Sequence, residues 1–193
     1  MQTITKVFDS HERARRAVSD LEAAGIPSTD ISLIANRHVN AKYVDKDEAS
    51  NTAAGAGLGA AVGGGAGLLA GLGMLAIPGV GPIVAAGWLA ATAAGAVAGG
   101  AAGGIVGALV DVGVPEEHAH VYSEAIRRGG TLLSVKTDSQ HAVRAQAILD
   151  RNEPLDPVRL GEDYKKTGWE SYNPEAPPYK LTEAEIERIR RPN

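Results

Sequence analysis

Ile77-Pro78-Gly79-Val80-Gly81-Pro82 lies inside the longest uncharged stretch of the chain, and its reading decides the architecture. Prolines and glycines packed this closely mark a chain reversal. Around it, from Ala49 to Val110, 62 residues pass without a single Asp, Glu, Lys or Arg, and 18 of the 24 glycines fall within them. The reversal divides this stretch into two arms, Ala53–Ala76 and Ile83–Val110. As α-helices the arms would be about 36 Å and 42 Å long at 1.5 Å per residue. A bilayer hydrocarbon core is about 30 Å thick. The expectation is a Gly/Ala-rich hydrophobic helical hairpin over residues 49–110, with each arm long enough to span lipid.

The glycines are spaced for helix packing. Gly55, Gly59, Gly63, Gly67 and Gly71 repeat every four residues, and Gly87, Gly95, Gly99, Gly103 and Gly107 continue the pattern around Ala91. On a helix this spacing draws a groove free of side chains, and two such grooves let backbones approach closely. Leu58, Val62, Leu68, Leu69, Leu72, Trp88, Leu89, Ile105 and Leu109 make the stretch too apolar for a solvated linker. No aromatic belt flanks it, and Ala and Gly add little to insertion, so the same hairpin also suits the buried core of a soluble ring, shell or filament.

Outside the stretch the chain is ordinary and charged. Lys+Arg number 19 against 23 Asp+Glu, a formal charge of −4, which lacks the basic footprint of a nucleic-acid partner. Cysteine is absent, so disulfides, thiolate metal sites and thiol nucleophiles are excluded.

Residues 1–48 and 111–161 read as two halves of one α/β domain. Thr3–Phe8 suits a strand, Asp9-Ser10 a helix cap, Ala14, Ala17, Val18 and Leu21 an apolar helix face, Gly25 a stop, and Ile31–Ala35 a second strand. After the insert, Pro115 with Glu116 and Glu117 opens a helix that Arg127, Arg128 and Gly129-Gly130 close. Thr131–Thr137 is a strand, Asp138-Ser139 a second cap, and Pro157–Leu160 a final short strand. The strand–Asp-Ser–helix order occurs twice. The fold class expected is α+β, a ferredoxin-like split β-α-β domain interrupted by the hairpin.

Residues 162–193 read as an extended aromatic C-terminal arm. Tyr164, Trp169, Tyr172 and Tyr179 are its candidate contact residues, folded either on their own domain or on a neighbouring subunit. Thr182-Glu183-Ala184-Glu185 is a capping box that opens a short helix.

Several of these motifs carry a resemblance. Val7-Phe8-Asp9-Ser10, Ala17–Leu21, Ala24-Gly25-Ile26 and Asp30-Ile31-Ser32-Leu33-Ile34 resemble the bacterial general stress (YflT-type, heat-induced) domain. Gly113-Val114-Pro115-Glu116-Glu117-His118-Ala119, Tyr122 and Arg127-Arg128-Gly129-Gly130-Thr131-Leu132 resemble the second half of its longer members, which also carry a Gly/Ala-rich middle. Gly168-Trp169 and Pro174-Glu175-Ala176-Pro177-Pro178-Tyr179 are similar to the tail of some of them. The resemblance implies a bacterial stress-associated protein and supplies no catalytic residues.

Chemistry is sparse. His118 and His120 are the one close histidine pair, and positions i and i+2 point to different helix faces. No phosphate-loop motif occurs, and no Lys or Arg lies in the insert. Ser10, Ser123 and Ser139 sit in cap or helix contexts without a partnered base. The expectation is a non-enzymatic homo-oligomer with no catalytic or metal residues, no cofactor and no small-molecule ligand. Its partners are further copies of itself and a lipid bilayer. Its place is the bacterial inner membrane with the soluble parts cytoplasmic, or else a cytoplasmic soluble assembly.

Overall fold

The computed structural model describes residues 1–36, 73–77, 81–89, 91–92, 104–176, 179–180 and 182–185. The chain is α+β. Its elements, in order, are β1 (Gln2–Phe8), α1 (His11–Ala23), β2 (Ile31–Asn36), β3 (Gly73–Ile77), β4 (Gly81–Ala86), α2 (Gly104–Asp111), α3 (Glu116–Arg127), β5 (Thr131–Thr137), α4 (Ser139–Arg151) and α5 (Pro157–Lys166).

The strands form one sheet in the order β1-β5-β2-β4-β3, and every neighbouring pair is antiparallel. β5 therefore lies between β1 and β2, which run parallel to each other on either side of it. The register sets Val7 opposite Leu132, and Leu33 and Ile31 opposite Leu133 and Val135. Helices cover both faces. Ile4, Phe8, Leu33, Leu133 and Val135 pack with Ala17 and Leu21 of α1 and with Ile148 and Leu149 of α4. Val7, Ile34 and Leu132 turn the other way, onto Leu109 of α2 and Tyr122 and Ile126 of α3. With neither face wet, every residue of β2 is buried, and so is all of β5 except the half-buried Lys136. Each fully buried Leu, Ile or Phe contributes about 1.5–3 kcal/mol through removal of apolar surface from water.

Local signals place the helices. Ser10 accepts the Arg13 N–H at the start of α1, and Asp138 accepts the Gln140 and His141 N–H groups at the start of α4. Several polar groups of the sheet find partners as well. Thr5 and Ser134 meet across the strands at 3.0 Å, and the Tyr122 hydroxyl donates to the Thr5 carbonyl at 3.3 Å. Trp88 donates its indole N–H to the Asp30 carbonyl at 3.2 Å, with the Lys136 ammonium 3.9 Å above its ring.

Two expectations are corrected here. Among the described residues no helix is long and apolar enough to cross a membrane. The chain reversal at 77–82 joins two strands rather than two helices, and β4 pairs with β2 from Leu33↔Ala86 to Asn36↔Ile83. Ile77, Ile83 and Val84 are β-branched, which favours the pleated ladder over a helix. The second arm is thus not one helix: a strand runs to Ala86 and Gly87 bends the chain before α2 at Gly104–Asp111. The transmembrane hairpin, and the inner-membrane placement that rested on it, lose their basis. The second correction concerns Pro157–Leu160, which forms the first turn of α5 rather than a strand. Asp156 caps it, accepting from Val158 and Arg159 N–H, and Pro157 stands where a missing N–H costs nothing. The strand-like pairing nearby is a single antiparallel bridge between Leu155 and Val7.

Gly87 and Gly107 are the candidate helix-packing glycines that fall within the described residues. Gly55, Gly59, Gly63, Gly67, Gly71, Gly95, Gly99 and Gly103 lie outside them. Gly87 has φ +89°, and a Cβ there would sit 2.3 Å from the Ile31 carbonyl oxygen and 2.7 Å from Ser32 Cα. A Cβ on Gly107 would meet nothing within 4 Å. Urea unfolding should therefore separate them. Gly87→Ala is expected to cost at least about 2 kcal/mol from the left-handed backbone and the clash with β2. Gly107→Ala, inside α2, should gain about 0.5–1 kcal/mol.

Candidate functional site

The densest group of ionisable side chains sits where α3 ends. Glu124, Arg127 and Arg128 fall at i, i+3 and i+4, so one helical turn brings them together. Glu124 is 1% exposed. Arg127 grips its carboxylate with a fork, Nε to Oε2 at 2.8 Å and Nη2 to Oε1 at 2.7 Å. Arg128 adds a third bond, Nε to Oε1 at 2.6 Å. The Glu124 hydrogen bond is the first cause that holds the Arg127 guanidinium above its ordinary pKa, opposed by burial. A buried carboxylate is tolerated only with such pairing, and two cations at a helix C-terminus also suit the helix dipole.

Helix ends fix the geometry around this triad. At the end of α3, Gly129 N–H bonds to Ile126 O and Gly130 N–H to Ala125 O, at 3.0 and 2.8 Å. This closure turns the chain directly into β5. At the end of α5, Gly168 has φ +83°, and Trp169 N–H reaches back to Tyr164 O at 3.2 Å. That closure folds the indole onto Tyr164, edge to face, with ring centroids 5.6 Å apart. The exposed face of Tyr164 is then taken by Arg128, whose Cζ stands 4.1 Å from the ring centroid.

The C-terminal segment completes the cluster. Tyr172 is buried in the core beside α3. Tyr179 also packs against Arg128, with Cζ at 4.5 Å from its ring centroid, and its hydroxyl accepts from Arg128 Nη1 at 3.4 Å. Arg128 thereby contacts the faces of two tyrosine rings. The Tyr179 hydroxyl donates to Glu185 at 2.9 Å. Glu185 also receives the Thr182 N–H at 2.8 Å, while its own N–H goes to Thr182 Oγ1 at 3.3 Å. This is the reciprocal pattern of a capping box. Burial pushes the Glu185 carboxyl up, but the bonds from Thr182 and Tyr179 outweigh it and hold the group below its ordinary value. Burial raises the Tyr172 hydroxyl to about 12, so it stays protonated at any ordinary pH.

The four sequence-derived arm residues are thus brought together on the chain's own body, and Tyr164 belongs to α5 rather than to an extended stretch. Glu124 went unnoticed in the sequence. Its signal is an acid followed at i+3 and i+4 by two arginines inside an otherwise apolar helix face. The arrangement holds Tyr179 of the same chain against the end of α3. The Glu124 carboxylate is engaged by both guanidiniums, and Glu185 by Thr182 and Tyr179.

Other polar groups lie apart. His118 stacks near Tyr122 at 6.4 Å, His141 Nδ1 bonds the Asp138 cap at 2.9 Å, and His120 Nδ1 is enclosed without a partner. His38 lies outside the described residues. Among the described residues no three His, Asp or Glu side chains are grouped to hold a metal ion. An open groove of about 260 Å³ runs between α1 and α4, floored by Ala23, Ala147 and Ile148 and flanked by Asp20, Arg144 and Arg151.

No family model, curated protein or solved structure matches this chain.

Removing the centre of the cluster should cost more than removing its edge. Glu124→Ala strands two guanidiniums and is expected to lower the unfolding free energy by about 3–5 kcal/mol. Arg128→Ala leaves the Arg127 fork intact and should cost about 1–3 kcal/mol. Denaturant titrations of both variants at neutral pH give the order directly.

A separate pH effect comes from His11, at the start of α1. Burial, and then the charge of Arg15, lower it from 6.5 to about 4. Between those values the unfolded chain takes up a proton that the folded chain refuses. Stability must then fall as pH drops through that window, by about 3 kcal/mol at full extent. His11→Gln should flatten this part of the stability–pH curve, measured by urea midpoints from pH 7 to pH 4.

Proposed function

We propose that this chain is a non-enzymatic protein that associates with further copies of itself, as an assembly component of the bacterial general-stress type its motifs resemble. The observation that carries this reading is the closure of Glu124, Arg127, Arg128 and Glu185 by Tyr164 and Tyr179. The richest polar cluster of the described residues is spent on holding a polypeptide segment. The acids of this cluster are engaged within it, Glu124 by Arg128 and Glu185 by Tyr179.

In this reading the body is a rigid platform with a ferredoxin-like core. β1, α1, β2, β5 and α4 supply the split β-α-β arrangement, and the Leu155–Val7 bridge stands where a fourth strand would lie. The hairpin β3–β4 extends the sheet beyond β2. The period-four glycines of the uncharged stretch are the proposed association element, because small residues at that spacing permit close backbone contact. No cofactor, nucleic acid or small molecule enters the proposal.

Light scattering on the purified full-length chain tests it. The expected mass is a multiple of 19.9 kDa. Gly63→Leu and Gly99→Leu should each reduce that multiple while leaving the thermal unfolding of the α/β unit unchanged. A wild-type chain that stays at the mass of one copy over a wide concentration range overturns self-association. A multiple that both variants preserve removes the glycines from it.

A further inference from the structure

We draw no further inference here: the strongest candidate, the open groove between α1 and α4 floored by Ala23, Ala147 and Ile148 and flanked by Asp20, Arg144 and Arg151, carries none because nothing in the structure shows what covers it.

Discussion

Strand β5 is hydrogen-bonded to β1 on one side and to β2 on the other, and its side chains are buried on both faces of the sheet. Neither half of the chain can satisfy itself without this insertion. β1 and β2 run parallel and do not touch, so the β-α-β unit of the first half has a vacant slot of one strand's width. Filling it brings α4 down beside α1 and α3 onto the opposite face. The two hydrophobic layers, the caps that aim the helices and the cluster at the end of α3 all follow from that placement.

The cluster at the C-terminus of α3 shows how a surface contact acquires geometric definition. Glu124 is too deeply buried to be left charged alone, and the two arginines that neutralise it are fixed by doing so. A guanidinium fixed in plane is a better partner for aromatic rings than a free one. Tyr164 and Tyr179 both exploit this. The buried carboxylate thus helps fix the guanidinium on which Tyr179 rests.

Helix ends were the most legible part of the sequence. Ser10, Asp138 and the Thr182–Glu185 pair cap as their residue types predict, because capping depends on a few neighbours only. The strand β1 was readable from its alternation and β2 and β5 from their apolar content, although burial of β2 and β5 on both faces left little alternation to set the pairing order. β3 and β4 were not legible. A stretch made of Gly, Ala and aliphatic residues has no polar positions to reveal a period of 2 or 3.6, so length and uniform hydropathy favoured long helices. The β-branched residues around the 77–82 reversal were the contrary signal. Pro157 was misplaced for a different reason: Asp-Pro can open a helix as readily as it ends a strand, and Asp156 decides the matter by side-chain geometry. Of the candidate site, the tyrosines stood out by rarity, whereas Glu124 was hidden among ordinary charged helix residues.

The position of β5 along the chain also bears on synthesis. Roughly 95 residues separate the end of β2 from the start of β5. At translation rates of about 5–20 residues per second, β1 and β2 wait roughly 5–20 s before the strand that joins them has been made. Throughout that interval Phe8, Leu33 and Ile34 lack their final neighbours while the uncharged stretch is emerging behind them. The apolar faces of the first half are thus without their final cover for as long as that stretch takes to synthesise.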